Sequence, residues 1–277
     1  MTVDRVDEGW RPKLVVLDID GTLLQWIEGS GQTLEEISPA VREAVHRAMD
    51  AGAHVVLASG RSMHGMTRVI DLLGLHRGER LWGVASNGAV VFRYPPAEVV
   101  FEETFDASEA VREVLAEHPT ALVAVEERGI GYRVTGEFPI GELSGEMTVT
   151  TVDELVGEPV SRVIIRDPSA TPEDFVALGR RLGLHGTDYV VGWTAWMDLS
   201  PIGVSKASGL ARVAADLGVG AHDALAIGDG RNDLEMLRWV ARGVAMGQAI
   251  DEVRAVADDV TATVEQDGVA VELARWF

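Results

Sequence analysis

Short apolar runs that end abruptly in small or polar residues recur along the chain. They are Leu-Val-Val-Leu-Asp at 14–18, His-Val-Val-Leu-Ala-Ser at 54–59, Trp-Gly-Val-Ala-Ser-Asn at 82–87 and Ala-Leu-Ala-Ile-Gly-Asp at 224–229, with weaker ones at 242–246 and 258–263. Nearly continuous apolar runs of this length suit parallel strands covered on both faces. Helical patterns lie between them. Ser38-Pro39 offers a cap and a proline for the first turn, and Gly52 a stop. Ser62 to Leu73, closed by Gly74, and Ser205 to Leu217, closed by Gly218, follow the same grammar. Alternating strands and helices predict an α/β protein with a doubly wound parallel sheet.

The middle of the chain has a different texture. Runs at 90–96 and 99–105 read as a hairpin around Pro95-Pro96. A helix is expected over 108–117, strands at 121–127, 131–135 and 161–167, a helix over 171–183 and a strand-like run at 189–200. Antiparallel strands with two helices predict an inserted α+β module. The pattern assigns 1–88 and 197–277 to the core and 89–196 to the insert.

Composition narrows the chemistry. The chain has 277 residues, 47% of them hydrophobic, and no low-complexity tract, as expected of a globular protein with a substantial core. Cysteine is absent, which excludes disulfides, zinc–thiolate sites and thiol nucleophiles. Neither a charged-then-apolar leader nor an apolar run of about 18 residues occurs, so a cytoplasmic location is expected. The formal net charge of −20 disfavours nucleic acid and anionic membranes as partners. It also repels phosphorylated ligands at long range, so any phosphate site needs local cations. A monomer is the default expectation.

In an open α/β sheet, ligands bind beyond the carboxyl ends of the strands. Four of the expected core strands end in Asp18, Ser59, Asn87 and Asp229. Asp18 is followed by Asp20, Gly21 and Thr22. Alone, this reads equally as a strand end closed by turn-forming residues. A calcium loop is excluded, because Leu23 stands where such a loop needs glycine. Near the other end, Asp229 closes a strand while Asn232 and Asp233 stand where the next helix begins. Those two read either as helix caps or as ligands. Together Asp18, Asp20, Asp229 and Asp233 would crowd one sheet edge. Two carboxylates about 4 Å apart repel by roughly 4 kcal/mol at an effective dielectric near 20. A cation resolves the crowding, and oxygen-only ligands point to Mg²⁺.

Ser59-Gly60-Arg61 precedes a helix and reads either as an ordinary turn or as a phosphate cradle. Asn87-Gly88 reads as a hairpin turn. Only two of the 24 basic residues are lysine, Lys13 and Lys206. Lys206 opens a helix, where a cation opposes the dipole. It is either a surface residue or an ammonium placed to neutralise an aspartate and a phosphoryl oxygen. The seven histidines show no metal-binding spacing.

Asp18-x-Asp20-Gly21-Thr22, Ser59-Gly60-Arg61, Lys206 and Gly228-Asp229-x-x-Asn232-Asp233 follow one another in this order. The set resembles the haloacid dehalogenase superfamily of aspartate-nucleophile phosphohydrolases. The large insert between the second and third motifs is similar to a C2-type cap. Asn87-Gly88-Ala89 and Gly203-Val-Ser-Lys206 resemble the Cof-type, IIB branch. Ser59 stands where that branch more often has threonine, and twelve extra residues precede the first strand. The resemblance implies a Rossmann-like core and a Mg²⁺-dependent phosphatase acting on a small phosphorylated metabolite. It implies Asp18 as nucleophile and Asp20 as acid and base. It implies a cation held by Asp18, the Asp20 carbonyl and Asp229, with Asn232 or Asp233. Ser59, Gly60, Arg61, Asn87, Lys206 and Asn232 would meet the substrate. For the leaving group, the Glu126–Arg128 turn and the Trp193–Trp196 strand are candidates. A phosphomutase, mannosyl-3-phosphoglycerate phosphatase, a phosphoryl receiver module and a non-catalytic descendant are the competing readings. Sugar phosphates, phosphorylated cofactors and nucleotides are open as substrates.

Overall fold

The computed structural model describes residues 6, 9–27, 32–75, 78–127, 131–182, 187–191 and 196–277, with the side chains of 32, 180–182 and 187–191 not described. An eight-stranded sheet forms the core. Its order is Asp259–Val260, Arg242–Ala245, Ala224–Gly228, Leu14–Leu17, His54–Ala58, Leu81–Ala85, Val90–Tyr94 and Glu98–Glu102. The first six strands run parallel, Val90–Tyr94 runs antiparallel to them, and Glu98–Glu102 pairs antiparallel with Val90–Tyr94. Leu14–Leu17 lies at the centre, fully buried, between Ala224–Gly228 and His54–Ala58. Its alternate side chains feed apolar clusters on the two faces of the sheet, Val15 and Leu17 on one and Leu14 and Val16 on the other.

The caps act as the sequence suggests. Ser38 Oγ accepts from Val41 N–H and Pro39 opens helix Pro39–Asp50. Ser62 caps Met63–Leu73, which ends at left-handed Gly74. Ser205 caps Lys206–Leu217, which ends at left-handed Gly218.

A second, six-stranded sheet has the order Glu146–Val149, Gly131–Val134, Leu122–Glu127, Val163–Arg166, Trp196–Pro201 and Thr187–Val191. Its pairings are antiparallel except for the outermost, Glu146–Val149 on Gly131–Val134. Helices Ser108–Glu117 and Pro172–Leu182 accompany it, and it carries its own apolar cluster, centred on Val123, Ile165, Phe175 and Leu199.

The expected boundaries of the insert, 89 and 196, need correction. Both strands of the Pro95-Pro96 hairpin pair with the first sheet, Val90–Tyr94 against Leu81–Ala85. Phe92 is fully buried against the core there. At the other end, Trp196–Pro201 belongs to the second sheet. The run at 189–200 is also two antiparallel strands rather than one; residues 192–195 between them lie outside those described, and Trp193 with them.

Candidate active site

Tight turns build the carboxyl edge of the first sheet. After Leu17 the Asp18 N–H still donates to Ile227 O in the ladder (3.0 Å). The chain then closes on itself, with Leu23 and Leu24 N–H both donating to Ile19 O (2.8 and 2.9 Å). Gly21 adopts φ +85°, and a Cβ there would stand 2.1 Å from Asp229 Oδ2. Glycine is therefore required both by the turn and by the approach of Asp229. Gln248 Nε2 donates to Gly21 O and ties the turn down (2.5 Å).

Lys206 is the centre of the cluster. Its ammonium has no exposed surface and donates to Asp18 Oδ1 (2.5 Å) and Asp233 Oδ1 (2.7 Å). The surface reading of this lysine is excluded. Asp233 does two jobs: its other oxygen accepts the backbone N–H groups of Asp229 and Gly230 (3.0 and 2.9 Å). The turn that presents Asp229 is thus capped by the same carboxylate that grips Lys206.

Asp18, Asp229 and Asp233 offer oxygens that all lie within 4.8 Å of one another, and all three are buried. Burial, then the charge of Asp233, pushes the Asp18 carboxyl up to about 7 despite Lys206. Burial, then the charges of Asp18 and Asp233, raises Asp229 well above the usual carboxylate range. Two neighbouring carboxyls that resist ionisation are what a missing counter-charge produces. Among the described residues, no side chain or backbone N–H donates to the Asp229 carboxylate. The set fits a hard divalent cation.

The other expected residues divide. Asp20 joins the edge, but its carboxylate engages Arg61 rather than the aspartate cluster. Arg61 Nε donates to both Asp20 oxygens (3.1 and 2.9 Å) and its terminal nitrogen to Oδ1 (2.6 Å). Thr33 links to both partners. Ser59 is buried, and its Oγ accepts from Arg61 N–H (3.1 Å). Asn232 Nδ2 donates to Asn87 Oδ1 (3.0 Å), so its amide faces Asn87.

A cavity of about 460 Å³ opens above this edge, between the two sheets. Asp18, Asp20, Ser59, Gly60, Arg61, Asp229 and Asn232 line it, while Lys206, Asp233 and Asn87 stand behind the lining. The far wall comes from the second sheet and its loops, with Tyr132, Glu142, Leu143, Ser144, Arg162, Trp196 and Asp198. Asp198 Oδ1 accepts from Arg162 (2.8 and 2.6 Å) and from the Trp196 indole (3.1 Å), and its Oδ2 accepts from Asn87 (3.3 Å). Of the two leaving-group candidates, Trp196 lines the cavity. Glu126 does not; it bonds Ser86 instead. Arg128 lies outside the described residues. Arg162, Asp198 and Tyr132 were not singled out from the sequence, and no local motif marks them.

The family profile of the haloacid dehalogenase-like hydrolases matches residues 15–273, and the chain belongs to this family. Its similar relatives include phosphatases. The 5-amino-6-(5-phospho-D-ribitylamino)uracil phosphatase YitU of Bacillus subtilis is 30% identical, over 96% of this chain and 98% of its own. Phosphatase YwpJ of the same organism is 26% identical, over 93% and 97%. Among solved structures, the HAD subclass IIB sugar phosphatase BT4131 shares the fold, with a TM-score of 0.77 at 22% identity over 95% of this chain and 98% of its own. The phosphatase BT1666 from Bacteroides thetaiotaomicron gives 0.76 at 26% identity, over 98% and 97%.

Proposed function

We propose that the protein is a Mg²⁺-dependent phosphatase that hydrolyses a small phosphorylated metabolite through an aspartyl-phosphate on Asp18. The observation that carries this reading is the buried Asp18–Lys206–Asp233 array beside Asp229, at the floor of the cavity between the two sheets. Asp18 and Asp229 are the side chains that would hold the cation, with the Asp20 carbonyl. Asp233 is already committed to Lys206 and two backbone N–H groups, so it and Asn232 support the site at one remove. The ion, when bound, supplies the positive charge that lets the carboxylates ionise together and draws in a phosphoryl oxygen.

The residues then act in two half-reactions. Asp18 attacks phosphorus in line as the bond to the leaving oxygen breaks. Asp20 gives a proton to that oxygen, then takes one from the water that splits the aspartyl-phosphate, releasing inorganic phosphate. To reach the leaving oxygen, Asp20 turns away from Arg61, which holds both its oxygens here. Lys206 stabilises charge on Asp18 and the phosphoryl group, and Ser59 and Asn232 hold phosphoryl oxygens. Arg61, Gly60 and Asn87 complete that side. The second sheet acts as the cap that excludes bulk water and reads the leaving group.

The substrate is a phosphomonoester of a polyhydroxylated alcohol, a sugar phosphate or a phosphorylated cofactor precursor. Two supports exist. The relatives YitU and YcsE are named for a ribitylaminouracil phosphate, and BT4131 for sugar phosphates. The far wall of the cavity carries carboxylates, guanidinium, phenol and hydroxyl suited to such a group. A panel of phosphorylated metabolites with Mg²⁺ tests the reading through kcat/KM and phosphate release. An isomerised sugar phosphate in place of free phosphate would mark a phosphomutase. Asp18→Asn is expected to abolish turnover with Tm retained; near-normal rates would remove Asp18 as nucleophile.

A further inference from the structure

Two carboxylates of the second sheet reach across to the first, and both land on one turn. Glu126, from Leu122–Glu127, accepts from Ser86 Oγ and from the backbone N–H of Met63 (3.3 Å), the first residue of helix Met63–Leu73. Asp198 accepts from Asn87 Nδ2 (3.3 Å). The turn they hold is strained. Ser86 and Asn87 have φ of 51° and 52°, and Gly88 follows at 107°. Consecutive non-glycine residues in the left-handed region persist only where their surroundings over-determine them.

Those surroundings are the catalytic edge itself. Ser86 N–H donates to Arg61 O (2.9 Å) and Asn87 N–H to Ser59 O (3.1 Å). Asn87 Oδ1 receives Asn232 Nδ2 (3.0 Å). Gly88 packs so closely on the start of helix Lys206–Leu217 that a Cβ would stand 2.0 Å from Ser205 O. One three-residue turn therefore touches the segments bearing Ser59, Arg61, Lys206 and Asn232.

Glu126 does not line the cavity. It is nonetheless a largely buried carboxylate, and burial raises its pKa. Its partners are one hydroxyl and one helix-end N–H, with the Arg162 charge nearby. We propose that Glu126 is a positioning residue: docked on Ser86 and Met63, it fixes the Ser86–Gly88 turn so that Asn87 holds Asn232 in register for the phosphoryl group. Lifting the second sheet withdraws the acceptor from Ser86 and the Asp198 carboxylate from Asn87. The turn then relaxes and Asn232 loses its partner. Hydrolysis is thereby confined to the docked form. The kinetic part of this inference rests on the phosphatase reading; the structural part does not.

A double-mutant cycle tests it, with Glu126→Ala and Asn232→Ala singly and together. Glu126→Ala is expected to lower kcat/KM for p-nitrophenyl phosphate by about 10–100-fold, the loss falling in kcat. In the Asn232→Ala background the same change is expected to cost less than about 3-fold, because the two act as one unit. Glu126→Gln keeps an acceptor for Met63 N–H and should recover most of the rate. The second readout needs no turnover: the side-chain amide NMR signals of Asn87 and Asn232 should shift in Glu126→Ala and in Ser86→Ala. If Glu126→Ala does not fold, Ser86→Ala carries both readouts. Fully additive losses in the cycle, or unmoved amide signals in a folded variant, overturn the proposal. A wild-type protein that releases phosphate from no ester refutes the phosphatase reading instead, and the amide signals still decide the positioning role.

Discussion

Replacing Lys206 with methionine removes one charge and little volume. The ammonium lies 2.5 Å from Asp18 Oδ1 and 2.7 Å from Asp233 Oδ1, with no exposed surface. At an effective dielectric of about 20, each contact supplies roughly 6 kcal/mol of attraction. Desolvation of the ammonium cancels much of that. The sign of the balance is nevertheless clear, because its two aspartates hold the Lys206 pKa above the usual lysine value against the effect of burial. The variant is governed by what it leaves behind, three buried carboxylates with no counter-charge. Breaking a buried pair from one side costs about 3–5 kcal/mol. With an unfolding entropy of about 2.1 cal/mol/K per residue, 4 kcal/mol over 277 residues is roughly 7 °C in Tm.

Charge and packing give different pH dependence. Asp18 already titrates at about 7 with Lys206 present, because of burial and Asp233. Without the ammonium its pKa rises further, and a protonated carboxyl is not an orphaned charge. The penalty of Lys206→Met is therefore expected to be smaller at pH 5 than at pH 8, and to keep growing above pH 8 until the carboxyl of the variant is ionised. Thermal unfolding in EDTA at the two pH values measures it. An equal Tm loss at both would show that the cost is packing. A loss under about 2 °C at pH 8 would refute the electrostatic reasoning altogether.

The wild-type protein without divalent ions should lose stability as pH rises from about 4 to about 7, because folded Asp18 binds its proton more tightly than the unfolded chain does, with values of about 7 and 3.8. Saturating Mg²⁺ should flatten that slope in Tm; an unchanged slope would place the cation elsewhere. Gly21→Ala forces a Cβ within 2.1 Å of Asp229 Oδ2 at a φ of +85°. A loss of about 1–3 kcal/mol from the strained backbone is expected, with a weaker rise of Tm on Mg²⁺ titration, and a normal Mg²⁺ response would remove Asp229 from the cation site.

The sequence carried the core well for a physical reason. Strands buried on both faces must be continuously apolar, and their helices need caps, so Leu14–Leu17, Ser38-Pro39 and Ser205 announce themselves locally. The hairpin expected around Pro95-Pro96 forms, but on the first sheet rather than in the insert, because the pattern fixes which face is buried, not which sheet supplies the partner. Glu146–Val149 is exposed throughout and has no apolar signal to read. The site was legible as residue types, and its pairings were not. Asp20 and Arg61 were both candidates, yet nothing local says that one clamps the other. Asp198 reaches Asn87 across 111 positions and Glu126 reaches Ser86 across 40. Those contacts come into being only when the two sheets dock.

Charged groups of both signs line the cavity. A chain of net charge −20 was expected to place cations around any phosphate site. It does, in Arg61, Arg68, Arg162 and Arg231, but six acids line the same cavity: Asp18, Asp20, Glu35, Glu142, Asp198 and Asp229. Each arginine is also paired to a carboxylate, Arg61 to Asp20, Arg68 to Glu35, Arg162 to Asp198 and Arg231 to Glu252. Lys206 is shared between two more. The cations therefore orient side chains and leave little net positive field for a phosphate dianion. Two routes reverse the balance at the floor: protons on Asp18 and Asp229, which burial favours, or a dication between them. The first route leaves Asp18 uncharged, and a neutral carboxyl is a poor nucleophile. The second supplies positive charge while leaving Asp18 ionised, which is the balance the proposed reaction needs.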